Sequence, residues 1–202
     1  MDIKNDIHIM EMNDKLYQRL KQSELVIHAK VESVLRQISS WKYATHEFYV
    51  PAPYQNELAG LPNGRIRKNI EEKDRLKIAG LYSFGFNAEG KILCSQEAPD
   101  NIGNGIITDI YEYDNAFSYY VYHVKYIPNQ YTTIISISYF YPYHEMNIFQ
   151  GINSYKDWSV YLYEYDKERI SKVHRYASRW GNMPAEEYNF AYENNLLCAI
   201  VG

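Results

Sequence analysis

Two pairs of carboxylates are the residues in this sequence whose type and spacing could support chemistry. Glu112 and Asp114 form one pair, and Glu164 and Asp166 form the other. On a β-strand, residues two apart lie on the same face, separated by about 7 Å. Acid–base catalysis of glycoside hydrolysis uses two carboxylates in different environments. Such pairs are also common on exposed strands, so we expect no catalytic residue and keep a glycosidase-like enzyme as an alternative.

Tyrosines alternate with these acids along both segments. Tyr111 and Tyr113 flank Glu112, and Tyr163 and Tyr165 flank Glu164. A strand places the tyrosines on one face and the acids on the other. Either the tyrosines pack in the core beneath a solvated acidic face, or the two segments bind a basic protein, with charge speeding association and aromatic rings supplying affinity. The candidate partner-binding residues are Tyr111, Glu112, Tyr113, Asp114, Tyr163, Glu164, Tyr165 and Asp166.

Other catalytic and metal-binding patterns are missing from the sequence. The six histidines are scattered, with no His-x-His or His-Glu-x-x-His spacing, so we predict no metal site. The sequence also lacks the Gly-x-Ser-x-Gly pattern of a serine nucleophile. Cys94 and Cys198 lie in apolar runs outside any Cys-x-x-Cys motif, and we predict buried, reduced thiols. No cofactor is expected.

Composition and charge exclude several classes of protein. The chain has 202 residues, with 21 basic and 25 acidic side chains, and a net charge of −4. This charge gives no general attraction to nucleic acid or to anionic lipid. No apolar run approaches the roughly 20 residues of a membrane helix, and the first residues do not resemble a secretion signal. We therefore expect a cytoplasmic protein that binds neither nucleic acid nor membrane.

Tyrosine is the unusual feature of the composition, with 22 residues against 7 Phe and 3 Trp. Eighteen of these tyrosines follow residue 79, where 8 basic residues accompany 14 acidic ones, whereas residues 1–79 carry 13 basic and 11 acidic residues. Tyrosine is suited to a partly solvated surface because its ring is apolar and its hydroxyl needs a hydrogen-bond partner. The second part of the chain therefore predicts an acidic sheet with a tyrosine-rich face.

Hydrophobic periodicity predicts the elements that would position these residues. Apolar residues at steps of three, four or seven predict a helix over residues 12–40, and residues 51–64 read as a loop. Beyond Gly80, alternating aromatic and β-branched residues predict nine strands. They cover residues 81–87, 91–95, 106–113, 118–127, 131–141, 158–166, 169–179, 187–192 and 196–201. We predict an α+β fold in which an N-terminal helix packs on a curved antiparallel sheet built from successive β-hairpins.

The predicted organisation is a helical N-terminal region with its loop over residues 1–79 and the hairpin sheet over residues 80–202, together in one compact domain. Several hairpins repeat an aromatic-x-aromatic-acid/amide pattern before a turn. Phe86-Asn87-Ala88-Glu89-Gly90-Lys91-Ile92 resembles the Tyr-Asp-x-x-Gly-Arg-Leu hairpin of the YD repeats in bacterial Rhs-type proteins. The copies at 163–170 and 190–197 are a residue shorter and lack the glycine. The resemblance therefore implies only that these segments form β-hairpins.

In its size, acidity and hairpin-rich, aromatic texture the chain also resembles the α+β immunity proteins that neutralise bacterial polymorphic toxins. This resemblance implies a non-enzymatic binding protein that occludes the active surface of a cognate toxin. One alternative is a carbohydrate- or small-ligand-binding β domain, in which tyrosines with Trp158 or Trp180 stack on sugar rings. That alternative requires a concave groove lined by such rings with a carboxylate nearby. A structural or oligomer-forming module is a third possibility.

Overall fold

The computed structural model describes Ile3 and residues 6–99, 105–178, 186–194 and 196–202. It shows an α+β fold that is mostly antiparallel sheet with a few helices, which confirms the coarse fold class. The helices are α1 (Ile7–Leu20), α2 (Glu24–Arg36), α3 (Gln55–Leu58) and a short 3-10 helix (Glu72–Asp74). Within the described ranges, no helix combines the length and apolar character needed to cross a membrane.

The single helix predicted over residues 12–40 is wrong, because two capped helices occupy this region. The Asp6 carboxylate accepts hydrogen bonds from the backbone N–H groups of His8 and Ile9, which starts α1 before the predicted position. Ser23 starts α2 in the same way, its hydroxyl accepting from the N–H of Val26. A side chain that satisfies the free N–H groups of a first turn favours a new helix start at that residue.

Twelve strands form the sheet, in the order β12-β11-β10-β9-β8-β7-β6-β5-β4-β3-β1-β2. The strands are β1 (Ser40–Ala44), β2 (Ile66–Arg67), β3 (Tyr82–Phe86), β4 (Ile92–Glu97), β5 (Ile106–Tyr113), β6 (Tyr119–Ile127), β7 (Tyr131–Tyr143), β8 (Met146–Asn153), β9 (Trp158–Asp166), β10 (Arg169–Ala177), β11 (Glu186–Glu193) and β12 (Leu196–Val201). The prediction missed β8, whose sequence MNIFQGIN lacks strict apolar–polar alternation because both of its faces are largely buried.

Turn chemistry accounts for the hairpins. The Asn87 side-chain oxygen accepts from the N–H groups of Glu89 (3.1 Å) and Lys91 (2.8 Å), and Gly90 closes this turn at a positive φ of 78°. Lys167 and Asn194 occupy the same left-handed region, at φ 60° and 48°, in the shorter turns that follow β9 and β11. An Asx side chain that bonds its own backbone and a glycine that tolerates positive φ are both turn formers.

Contacts divide the chain into two compact units. Unit 1 comprises Met1–Lys21, Tyr113–Tyr119 and Ile137–Gly202, and unit 2 comprises Gln22–Glu112 and Tyr120–Ser136. Each unit draws residues from both sides of the predicted boundary between residues 79 and 80.

In unit 1, α1 lies against β7 and β8. The buried amide of Gln150 donates to the carbonyl oxygen of Ile9 and to the side-chain oxygen of Asn13, both at 2.8 Å. The His8 ring stacks on that of Tyr143, with centroids 4.8 Å apart and planes 8° from parallel. These polar and ring contacts join α1 to β7 and β8, and Ile9, Met12 and Leu16 of the helix are buried.

In unit 2, both faces of the first strands are covered. Ile38, which follows α2, lies so close to Gly85 that an added Cβ would be 2.5 Å from its terminal methyl group, so a side chain here would require Ile38 to move. On the other face, the Tyr49 ring packs edge-on against Phe84 and Phe86, at 5.0 and 5.2 Å between centroids. A core on both faces explains why β3 is almost fully buried.

Candidate functional site

A row of aromatic rings in unit 1 is built from residues of four strands. Tyr113 at the end of β5 contacts Tyr119 of β6, with ring centroids 5.4 Å apart. Tyr119 stacks on Phe140 of β7 at 5.4 Å, and Phe140 contacts Tyr163 of β9 at 6.3 Å. We call these four residues, together with Tyr165, the tyrosine row. Aromatic pairs at these separations stabilise each other by more than the burial of their surface alone provides, so the rings of the row hold one another in place.

Strand register places the row on the sheet face opposite to α1. Tyr163 is paired with Asn147 of β8, and the Asn147 amide donates to the hydroxyl of Tyr165 at 2.8 Å. Gln150, which holds α1, is separated from Asn147 by three positions and therefore points to the other face. Tyr139 and Tyr141 of β7 share the face of Gln150, since Tyr141 donates to its side-chain oxygen. The two sheet faces thus carry different tyrosines, one set beneath the helix and one set in the row.

The hydroxyls of Tyr113, Tyr119 and Tyr163 stay protonated at neutral pH. Burial raises the pKa of Tyr113 to about 12. Burial also raises the pKa of Tyr119, and it raises the pKa of Tyr163 still more. Neighbouring tyrosines add to both shifts. These three phenols are therefore neutral, and they are poor bases and nucleophiles near pH 7. This chemistry suits recognition better than catalysis.

The Tyr163 hydroxyl is buried and has no hydrogen-bond partner among the described residues. Tyr141 is a matched case, because its ring is equally buried and its hydroxyl donates to Gln150 at 3.0 Å. Removing an unpaired buried hydroxyl relieves a desolvation cost, whereas removing a paired one leaves its partner unsatisfied. We expect Tyr163→Phe to raise the free energy of unfolding by up to about 1 kcal/mol and Tyr141→Phe to lower it by about 1 kcal/mol. Urea denaturation of both variants checks this, and an equal loss in the two would contradict the assignment.

Of the acids predicted beside these tyrosines, Asp114 and Glu164 have separate partners. Asp114 is exposed, and its carboxylate accepts a hydrogen bond from the Tyr139 hydroxyl at 2.9 Å. Glu164 accepts from His174 Nε2 at 2.9 Å on the face opposite to Tyr163. Asp166 lies exposed at the turn between β9 and β10. Asp114 and Asp166 are therefore accessible, and Glu164 is partly so.

Tyr111 and Glu112 belong to unit 2, whereas the tyrosine row belongs to unit 1. Tyr111 is 5 % exposed, which removes its ring from the surface available to a partner. Glu112 forms an ion pair with Lys30 of α2, and the Lys30 ammonium lies 4.2 Å from the centroid of the Tyr122 ring. The Glu112–Lys30 ion pair thus links α2 to β5.

Of the eight predicted site residues, the structure brings Tyr113, Tyr163 and Tyr165 into one cluster. The prediction missed Tyr119 and Phe140, which complete it. The signal for both was present, because each is an aromatic residue in an alternating strand. Finding them required the order of the strands in the sheet, which places β6 and β7 between β5 and β8.

Unit 2 holds a second polar cluster, around Asp109. One oxygen of this carboxylate lies 2.6 Å from His123 Nδ1, and the other accepts from the Ser95 hydroxyl at 3.1 Å. A serine nucleophile needs its hydroxyl bonded to the histidine that takes its proton. Here the carboxylate stands between serine and histidine, so the arrangement is not a catalytic triad.

This cluster also holds a carboxyl group with an unusual proton affinity. Burial, reinforced by the negative charges of Asp109 and Glu97, raises the pKa of Glu47 to about 7. For His123, burial lowers the pKa, but the hydrogen bond and charge of Asp109 outweigh burial and raise it overall. Glu47 and His123 therefore both favour their protonated forms, which limits the negative charge of the cluster.

The described part of the chain shows neither a group of metal ligands nor a reactive thiol at Cys94. No group of three or more His, Cys, Asp or Glu residues there has the arrangement of a metal site. Cys94 is buried, and burial raises the pKa of its thiol to about 12, which opposes reactivity. The prediction that Cys198 is buried is wrong: it lies exposed on β12 because neither face of this strand is fully covered.

Of the two tryptophans considered for sugar stacking, Trp158 is half-buried at the start of β9, and Trp180 lies outside the described residues. Comparisons of the chain with models of protein families, with curated proteins and with solved structures found no match in any of the three.

Proposed function

We propose that this protein is a non-enzymatic binding protein that neutralises a cognate bacterial toxin by occluding its active surface. The observation that carries the proposal is the tyrosine row on the sheet face opposite to α1. Tyrosine is among the residues that dominate binding energy at protein interfaces, because it buries a large ring while its hydroxyl finds a polar partner.

The partial exposure of the row supports this role. Tyr113, Tyr119, Phe140 and Tyr165 are half-buried, so each ring is held by its neighbours and still meets solvent. Side chains that are already ordered lose little conformational entropy on binding. Tyr163 beneath them is the packed base of the surface.

The nearby acids favour a partner with a basic surface. Asp114 and Asp166, which follow Tyr113 and Tyr165 along the chain, are exposed at the ends of β5 and β9, whereas Glu164 points to the opposite sheet face. Charges of this kind steer a basic protein into contact and speed its association, while the buried aromatic contacts set the lifetime of the complex.

The proposal includes the finer fold and the location. An N-terminal helix packed on one face of a curved, hairpin-built sheet leaves the other face to the partner. We place the protein in the cytoplasm, where it would meet an incoming or newly made toxin, and we propose no interaction with nucleic acid or membrane.

The test uses the polypeptide encoded by the reading frame directly upstream of this gene. Its induction in a bacterial host should stop growth, and co-expression of the present chain should restore growth. The two purified proteins should also elute together in size-exclusion chromatography. A harmless neighbour, a toxic neighbour that the present chain does not neutralise, or rescue without a complex would each overturn the proposal.

A further inference from the structure

A concave pocket of about 640 Å³ lies beside the turn that joins β9 to β10. One wall is the turn itself, residues 166–169, with Ile170 and Ser171 of β10 behind it. The other wall is formed by Phe190 and Tyr192 of β11. We propose that this pocket binds a saccharide, a role separate from toxin neutralisation by the tyrosine row.

The polar groups of the pocket match a ligand that both donates and accepts hydrogen bonds. Asp166 and Glu168 provide carboxylate acceptors, and no hydrogen bond or ion pair engages either of them among the described residues. Lys167 and Arg169 provide donors, and the Ser171 oxygen, whose O–H donates to the Glu164 carbonyl oxygen, can accept. Sugar hydroxyls are donors and acceptors at once, so they can use both sets.

The charge balance of the turn favours a neutral ligand. Two carboxylates and two cationic groups alternate along residues 166–169, so the turn has no net charge. An anion such as phosphate would meet the carboxylates, and a basic side chain would meet Lys167 and Arg169. A neutral polyhydroxylated molecule avoids both repulsions.

The aromatic wall supplies the apolar part of the recognition. The Tyr192 hydroxyl donates to the carbonyl oxygen of Ile170 at 2.9 Å, which fixes the ring against β10. The Arg169 guanidinium lies 5.5 Å from the centroid of the same ring, and Phe190 continues the wall. The C–H face of a pyranose buries apolar area against such rings, and a few placed polar groups then set its orientation.

Saturation-transfer difference NMR on the full chain tests the proposal, with maltotriose, cellotriose and the trimer of N-acetylglucosamine as probes. At least one trisaccharide should bind with a dissociation constant near or below about 1 mM. Phe190→Ala and the double variant Asp166→Asn, Glu168→Gln should each weaken that binding by about tenfold or more. If Phe190→Ala unfolds, Phe190→Leu replaces it, since leucine keeps the apolar volume and loses the flat ring.

The matched controls are Phe117→Ala and Glu145→Gln, which change exposed residues in other turns of unit 1. Both controls should bind the saccharide as the unaltered chain does. The proposal is overturned if none of the three probes binds at about 10 mM, or if the pocket variants bind as tightly as the controls.

Discussion

Replacing Gln150 with alanine is expected to lower the free energy of unfolding by about 3 kcal/mol. Gln150 is fully buried, and its amide donates to the Ile9 carbonyl oxygen and to Asn13 while its oxygen accepts from Tyr141. Alanine leaves a cavity and removes all three of these hydrogen bonds. Urea denaturation measures the loss.

A local measurement separates this effect from general destabilisation. In Gln150→Ala, hydrogen exchange should speed up first in α1, because the two hydrogen bonds lost there tie the helix to β8. The control is Gln130→Ala, which changes an exposed turn residue and should alter stability by less than about 0.5 kcal/mol. A loss below about 1 kcal/mol for Gln150→Ala would contradict the anchoring role of this side chain.

The second large effect is a fall in stability as pH rises from 5 to 8.5. Because burial and the charges of Asp109 and Glu97 raise the pKa of Glu47 to about 7, the folded chain binds this proton more tightly than the unfolded chain does. Stability is therefore lost as pH rises from the ordinary value of 4.5 through 7. The raised pKa of His123 acts in the same direction, since its protonated form is favoured by folding and is lost as pH rises. We expect these groups to contribute a loss of about 2 kcal/mol.

Glu47→Gln isolates the contribution of this carboxyl group. Glutamine resembles the protonated acid, so the variant should be more stable than the unaltered chain at pH 8.5 and close to it at pH 5. Glu89→Gln, in the exposed turn after β3, is the matched control and should keep the original pH dependence. If Glu47→Gln and the unaltered chain lose stability equally between these pH values, Glu47 does not hold its proton in the folded state.

Period-two alternation correctly places Tyr163 and Tyr165 on one face and Glu164 on the other, because this relation is local to the strand. Alternation does not reveal which face is covered. In β5 both faces are buried, with Ile110 at 1 % and Tyr111 at 5 % exposure, since elements far along the chain cover both sides. Tyr111 and Tyr163 both alternate with acids in the sequence, yet they lie in different units. The sequence pattern alone therefore does not distinguish them.

The tyrosine row likewise depends on strand order, which the sequence does not reveal. Tyr113 and Tyr163 are 50 residues apart, and they join through Tyr119 and Phe140 only because β5 to β9 follow one another in the sheet. Residues on β8 carry a weak strand signal, so the sequence suggests a gap at the place where Asn147 contacts Tyr165. The sequence shows which residues are aromatic, but predicting that they cluster also requires β8, which the sequence prediction lacked.

The measurement that tests the central claim most directly is the affinity of the upstream-encoded polypeptide for variants of the tyrosine row, by isothermal titration calorimetry. Tyr113→Ala and Tyr165→Ala should each raise the dissociation constant by about 30- to 100-fold, or about 2 to 3 kcal/mol. Tyr155→Ala, the same substitution at an 85 % exposed turn of unit 1, should leave it unchanged. Circular dichroism confirms that each variant is folded before titration. If folded row variants bind the partner as tightly as Tyr155→Ala does, the tyrosine row is not the binding surface.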